Sequence, residues 1–100
     1  MILVRDVFRL HFGRSKEAVA AWREVRALLN TLGGAKPSST RLLTDLDGDY
    51  YTLVFESTYS SLAEYEQSSK HMSTDEWRAW HAKVLPFSRD GHREIFNVVE

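Results

Sequence analysis

Apolar and polar residues alternate from the start of the chain. Over positions 2–12, Ile2, Val4, Phe8, Leu10 and Phe12 share one face, with Asp6 the exception, and Leu3, Arg5, Val7, Arg9 and His11 share the other. A period of two in β-branched and aromatic residues predicts a strand, and Gly13 ends it. The period then lengthens. Ser15 has the chemistry of an N-cap, whose hydroxyl accepts an orphan amide of the first turn. Ala18, Ala21, Trp22, Val25, Leu28, Leu29 and Leu32 follow at helical spacing. Gly33-Gly34 stops this helix, because glycine takes a left-handed cap without strain, and Pro37 confirms the break.

Two further alternating segments, 39–46 and 50–57, flank Asp47-Gly48-Asp49, which signals a hairpin. In the second, Tyr51, Leu53 and Phe55 share one face, and Tyr50, Thr52, Val54 and Glu56 the other. Ser61-Leu62-Ala63-Glu64 reads as a capping box opening a helix with Leu62, Tyr65 and Ser69 inward. Lys70-His71-Met72 breaks it. Ser73-Thr74-Asp75-Glu76 starts a second helical piece with Trp77, Trp80, His81 and Val84 on one stripe, and Pro86 follows its last turn. Asp90-Gly91 predicts a turn and 93–99 a final strand. Strand, helix, strand, strand, two-piece helix, strand is the order of an α+β, ferredoxin-like split βαβ fold. It predicts one domain over residues 1–100: a four-stranded antiparallel sheet with its helices on one face.

The face without helices should be built from Leu3, Arg5, Val7, Arg9 and His11, from Tyr50, Thr52, Val54 and Glu56, and from one side of the last strand. That is too apolar for a sheet surface left in water. The expected solution is a homodimer with two such faces stacked, in which Arg5 or Arg9 pairs with Glu56, within or across subunits, since a buried charge needs a partner.

Composition narrows the partners. The net charge is −1 with both signs mixed along the chain, so no basic stripe awaits nucleic acid. No basic amphipathic tail or membrane-length apolar run appears, and the opening Met1-Ile2-Leu3-Val4-Arg5-Asp6 is too soon interrupted by charge for a signal peptide. A cytoplasmic protein is the expectation. With no cysteine, thiol nucleophiles, iron–sulfur clusters and zinc–thiolate sites are excluded. Asp45, Asp47, Asp49 and Glu56 mimic calcium-loop spacing, but the glycine is misplaced at Gly48 and a strand follows, so the segment reads as a hairpin turn. His11, His71 and His92 show no metal spacing. No metal or cofactor is expected.

The order of elements resembles the dimeric α+β barrel superfamily, and within it NIPSNAP-like proteins. The similar residues are Phe12-Gly13-Arg14, Ala21-Trp22, Leu43-Thr44-Asp45, Leu53-Val54-Phe55-Glu56, Ser61-Leu62-Ala63-Glu64-Tyr65-Glu66, Glu76-Trp77 and Arg93-Glu94-Ile95-Phe96. The resemblance spans essentially the whole chain and implies a homodimer with its sheets back to back. More distantly, the chain is similar to antibiotic-biosynthesis-type and haem-degrading monooxygenases, whose pockets lie between sheet and helices. The haem-degrading members use an Asn, a Trp and a His at positions that fall on Asp6, Phe55 and His81. Only the histidine is kept, which argues against haem degradation.

Asp6 is the most informative single residue, because a carboxylate on an apolar face needs a partner. His81 is the natural candidate, and an Asp6–His81 pair would make a general base with an oriented imidazole. Trp22, Phe55, Trp77 and Trp80 would line a pocket for a flat apolar ligand, with Tyr51 a hydrogen-bond donor. The same residues also suit a plain aromatic core. Three functions follow as expectations: a small-molecule-binding dimer, a cofactor-independent monooxygenase-like enzyme, or an interaction dimer without a ligand.

Overall fold

The computed structural model describes residues 1–31 and 35–100, with His71 described by its backbone alone; the Gly33-Gly34 helix stop therefore lies outside the described residues. The elements are β1 (Ile2–Leu10), α1 (Ser15–Thr31), β2 (Ser39–Thr44), β3 (Thr52–Tyr59), α2 (Leu62–Ser68), α3 (Asp75–Val84) and β4 (Ser88–Asn97). Short 3-10 turns, Ser69–Ser73 and Leu85–Phe87, join α2 to α3 and α3 to β4. The sheet order is β2-β3-β1-β4 with every neighbouring pair antiparallel. This is the ferredoxin-like α+β arrangement that the element order predicts.

Helix starts follow local chemistry. The Ser61 hydroxyl accepts the Glu64 amide at 3.2 Å, and the Thr74 hydroxyl accepts that of Trp77 at 3.2 Å. Ser15 is instead the first helical residue; the Arg14 carbonyl receives the Ala18 amide at 2.9 Å and closes the first turn. In α2, Ser68 is the buried serine, and Leu62 faces solvent.

The β2–β3 connection is longer than a two-residue hairpin and runs over 45–51. Asp45 and Asp47 turn their carboxylates onto the chain itself, accepting the amides of Thr52 (2.9 Å) and Gly48 (3.0 Å). Gly48 and Tyr51 both take positive φ.

The final strand corrects the expectation at Asp90-Gly91. No turn forms there: β4 begins at Ser88 and continues through both residues, with a one-residue register shift against β1 between Ser88 and Asp90. Gly91 lies opposite Phe8, and a Cβ at Gly91 would stand 2.6 Å from the Phe8 ring. The glycine serves close packing across the ladder.

The registers sort the sheet into two faces. Val4, Phe8, Leu10, Leu53 and Phe55 face the helices. The other face holds one charged residue per strand in a single line. Arg41 pairs with Glu56, Glu56 with Arg5, and Arg5 with Glu94. Arg5 Nε donates to Glu56 Oε2 at 3.0 Å and its Nη1 to Glu94 Oε1 at 3.1 Å. Arg41 Nε donates to Glu56 Oε1 at 3.0 Å. Glu56 is only 6% exposed although no helix covers this face. Arg5 thus takes Glu56 within the chain, while Arg9 makes a two-pronged pair with Asp90 at 2.9 and 2.7 Å, which holds the Asp90 carboxyl below its ordinary range.

Gly91→Ala should destabilise the protein by about 1–3 kcal/mol through overpacking, against the small gain that alanine ordinarily brings to a strand. The cost should shrink when Phe8 is also changed to Ala. Urea unfolding of the four chains measures this, and additive costs would contradict the packing argument.

Candidate functional site

The site begins with where α3 is anchored. The Trp80 indole N–H donates to the Ala21 carbonyl of α1 at 2.8 Å, and its ring stands edge-on to Trp22 with centroids 4.7 Å apart. Lys83 and Glu24 add a 2.8 Å pair between the same helices. These contacts hold α3 to α1. The apolar interior accordingly falls into two clusters. One gathers Leu10, Trp22, Val25, Leu53, Phe55, Trp80 and Val84, and the other Ile2, Val4 and Tyr59, with Tyr65 packed against it.

Between the clusters lies a cavity of about 360 Å³. Val4, Asp6, Phe8, Phe55, Ser57 and Tyr59 form its floor; Trp22, Val25 and Leu29 of α1 and Trp77, Trp80, His81 and Val84 of α3 form its walls. Ser57 is buried between two aromatic neighbours on the same face, Phe55 and Tyr59, so a small side chain leaves the floor low there. On β4 the inward residues Gly91, Arg93 and Ile95 stay exposed, so the cavity is least covered along that edge strand.

The two ends of the cavity differ. One is aromatic: Trp22 sits 4.9 Å from Phe8 and 5.6 Å from Phe55, and Trp77 lies 4.9 Å from Trp80. The other is polar. Arg93 Nε donates to Asp6 Oδ1 at 2.6 Å, and the guanidinium lies 5.8 Å from the centre of the Tyr65 ring. Tyr65 meets Tyr59 edge-on at 5.3 Å, and the Tyr59 and Ser68 hydroxyls are 3.1 Å apart. Burial works against the Arg93 cation, but its bond and attraction to Asp6 outweigh that and hold its pKa above the usual arginine value. Burial pushes the Tyr65 phenol up, with Arg93 opposing and Asp6 and Tyr59 adding to the rise.

Trp22, Phe55, Trp77, Trp80, Asp6 and His81 all line this one cavity. Two sequence expectations need correction. Asp6 takes Arg93 as its partner, and no hydrogen bond joins it to His81 among the described residues. The reason is register: Arg93 is the residue directly opposite Asp6 on β4, whereas His81 is carried on a helix held by α1. Tyr51 lies outside the cavity, at the end of the sheet, stacked on Phe12 at 5.1 Å and lining a shallow groove beside the start of α1. Arg93, Tyr65 and Ser57 were the residues missed. Arg93 could not be read off from alternation alone: Leu10 lies opposite Ser88, and only a one-residue register shift next to it brings Arg93, and not His92, opposite Asp6. Among the described residues no group of three His, Asp or Glu side chains could hold a metal ion, and no helix is long and apolar enough to cross a membrane.

No protein-family model and no curated protein matches the chain. Solved structures do share its fold. An uncharacterised NIPSNAP-like domain protein from Burkholderia xenovorans aligns with a TM-score of 0.82 at 15% identity, covering 98% of this chain and 84% of that one. An antibiotic biosynthesis monooxygenase aligns over 100% of both chains with a TM-score of 0.74 at 16% identity. SnoaB, a cofactor-independent oxygenase from Streptomyces nogalater, aligns with a TM-score of 0.76 at 13% identity, covering 99% of this chain and 93% of that one. These are the groups that the sequence resembles. At such identities the likeness is one of fold, and function must be argued from the site.

The Tyr65 phenol should titrate above the free tyrosine value of about 10. Because the unfolded chain ionises first, the contribution of Tyr65 to stability is complete below about pH 10 and is lost as pH rises toward its folded value. Ultraviolet difference titration, with Tyr65→Phe to assign the signal, checks this; ionisation of Tyr65 at the free value would refute the burial argument.

Proposed function

We propose that this chain binds a flat, mainly apolar small molecule in the cavity between sheet and helices, and that it does so as a homodimer joined through the helix-free sheet face. The observation that carries the ligand reading is the divided core. Protein interiors pack to crystal-like density, and an unfilled void forfeits contacts on every side. A space of about 360 Å³ walled by all three tryptophans of the chain is better explained by an occupant than by poor packing. Its size lies at the lower end of the roughly 300–1,000 Å³ of small-molecule pockets. Trp22, Phe55, Trp77 and Trp80 would grip the faces of the molecule, and the Asp6–Arg93 pair would fix a polar group on its rim.

The dimer reading rests on the other face of the sheet. Leu3, Val7 and Leu43 lie half-buried there and Phe96 is 48% exposed, around a charged line already satisfied within the chain. Such a surface is suited to stacking and poorly suited to water.

A second reading is enzymatic. It is favoured by the fold shared with SnoaB, a cofactor-independent oxygenase, and by a histidine on the cavity wall. His81 would take a proton from a carbon acid bound among the aromatic rings. Asp6, engaged with Arg93, would then position the guanidinium instead of orienting the imidazole.

Intrinsic fluorescence reports occupancy directly, because every tryptophan lines the cavity. A panel of planar aromatic compounds should include members that quench it saturably, and Ser57→Phe, which fills the floor, should abolish that quenching in a chain still folded by circular dichroism. Equal binding by Ser57→Phe would sink the ligand reading. His81→Ala should keep binding and lose turnover if the protein is an enzyme; unchanged turnover removes His81 as the base. Light scattering should give twice the chain mass of 11.6 kDa at micromolar concentration, and a single-chain mass would defeat the dimer.

A further inference from the structure

The polar end of the cavity holds three side chains whose hydrogen-bonding capacity is not used up. Ser57 is 5% exposed, and its hydroxyl has no hydrogen-bond partner among the described residues. Asp6 Oδ1 takes Arg93 Nε at 2.6 Å, while Asp6 Oδ2 and the two terminal nitrogens of Arg93 have no partner among the described residues. The Tyr65 ring lies 5.8 Å from the guanidinium carbon and occupies one of its faces, so what Arg93 has left to offer is its in-plane N–H groups. Buried polar groups are nearly always paired, and these three line one cavity.

Their order across the sheet is fixed by register. Arg93 of β4 stands directly opposite Asp6 of β1, and Ser57 of β3, opposite Val4, is the diagonal neighbour of Asp6 on its other side. From β3 to β4 the floor therefore reads hydroxyl, carboxylate, guanidinium. A hydroxyl donates or accepts, an ionised carboxylate only accepts, and a guanidinium only donates. A ligand edge that satisfies all three carries a donor in the middle and an acceptor opposite Arg93.

We propose that the ligand of this cavity is a planar heterocycle with a cyclic imide edge, a ring N–H between two carbonyls: the N–H donates to Asp6, one carbonyl accepts from Arg93 and the other from Ser57. The inference rests on the ligand reading above and adds the chemical class. The fused rings lie among Trp22, Phe55, Trp77 and Trp80. A volume of about 360 Å³ suits two fused rings, being near the lower limit for small-molecule pockets. Other polar edges fit worse. A carboxylate offers acceptors alone and sets a second negative charge beside Asp6, whose own charge already offsets that of Arg93. An amine offers donors alone and leaves Arg93 unmatched. Asp6 is thus the residue that sets specificity, selecting a neutral edge with a central donor over an acid.

Three probes separate these possibilities by isothermal titration calorimetry at neutral pH: phthalimide, N-methylphthalimide and naphthoate. The natural chain should bind phthalimide best. N-methylation removes the donor to a charged acceptor and should weaken binding at least about 10-fold. Asp6→Asn frees Arg93 of its counter-charge and should reverse the order of phthalimide and naphthoate. Equal binding of phthalimide and its N-methyl form, or the same order in Asp6→Asn as in the natural chain, would overturn the proposal. Should Asp6→Asn not fold by circular dichroism, Ser57→Ala should weaken phthalimide by about 3- to 10-fold and leave naphthoate unchanged; unchanged phthalimide binding would overturn it. Saturable binding of other planar aromatics with none of phthalimide would defeat the imide edge and spare the ligand reading. Absence of binding by every compound would sink both.

Discussion

The hydrogen bond from the Trp80 indole to the carbonyl of Ala21 ties α3 to its neighbouring helix, and the interior is arranged around that choice. A helix over a sheet ordinarily fills the space beneath it with its own apolar stripe. Here Trp80, one of the two tryptophans of that stripe, satisfies its N–H against α1 and stands edge-on to Trp22. A buried indole must find an acceptor, and the acceptor it finds lies on α1. The floor beneath is low at Ser57, and the two apolar clusters do not merge. The cavity is thus a consequence of polar satisfaction as much as of side-chain volume.

The two sides of the sheet treat charge differently. On the inner side one carboxylate, Asp6, stands 18% exposed with a single cation at 2.6 Å, and the pair faces open volume. On the outer side Glu56 is bracketed by two arginines and nearly closed off. A single pair beside a cavity leaves guanidinium nitrogens able to meet a ligand. A continuous chain of pairs leaves little unsatisfied and can be covered at small cost, provided what covers it brings matching signs.

Much of this was legible in the chain. The alternation at 2–10, the change of period at α1 and the capping residue Ser61 are local signals, and each acts in the structure where it stands in the sequence. Asp6 was rightly singled out, since a carboxylate on an apolar face must be paired whatever the fold. Its partner was misjudged because a strand partner depends on register, and register depended on reading Gly91. Glycine after aspartate signals a turn from local propensity alone; that the Phe8 ring would need the space a Cβ would fill is a fact about a residue 83 positions away in the chain. Tyr51 shows the same limit. Alternation placed it on the inner face, and there it does pack against the main cluster, but it sits at the end of the sheet against Phe12 and outside the cavity.

By itself, the sequence determined the fold class, the order of elements, the apolar faces of β1, α1 and β3, and that two charged groups, Asp6 and Glu56, would have to be neutralised. These depend on periodicity and on the high cost of an unpaired charge, both of which act at the level of neighbouring residues. Only the tertiary structure decided that Arg93 neutralises Asp6, that Glu56 sits in an unbroken line across four strands, and that the helical layer stands off the sheet far enough to leave a cavity. Those outcomes depend on register and on which of several possible acceptors a tryptophan reaches, and distances between residues far apart in the chain do not exist until the elements have packed.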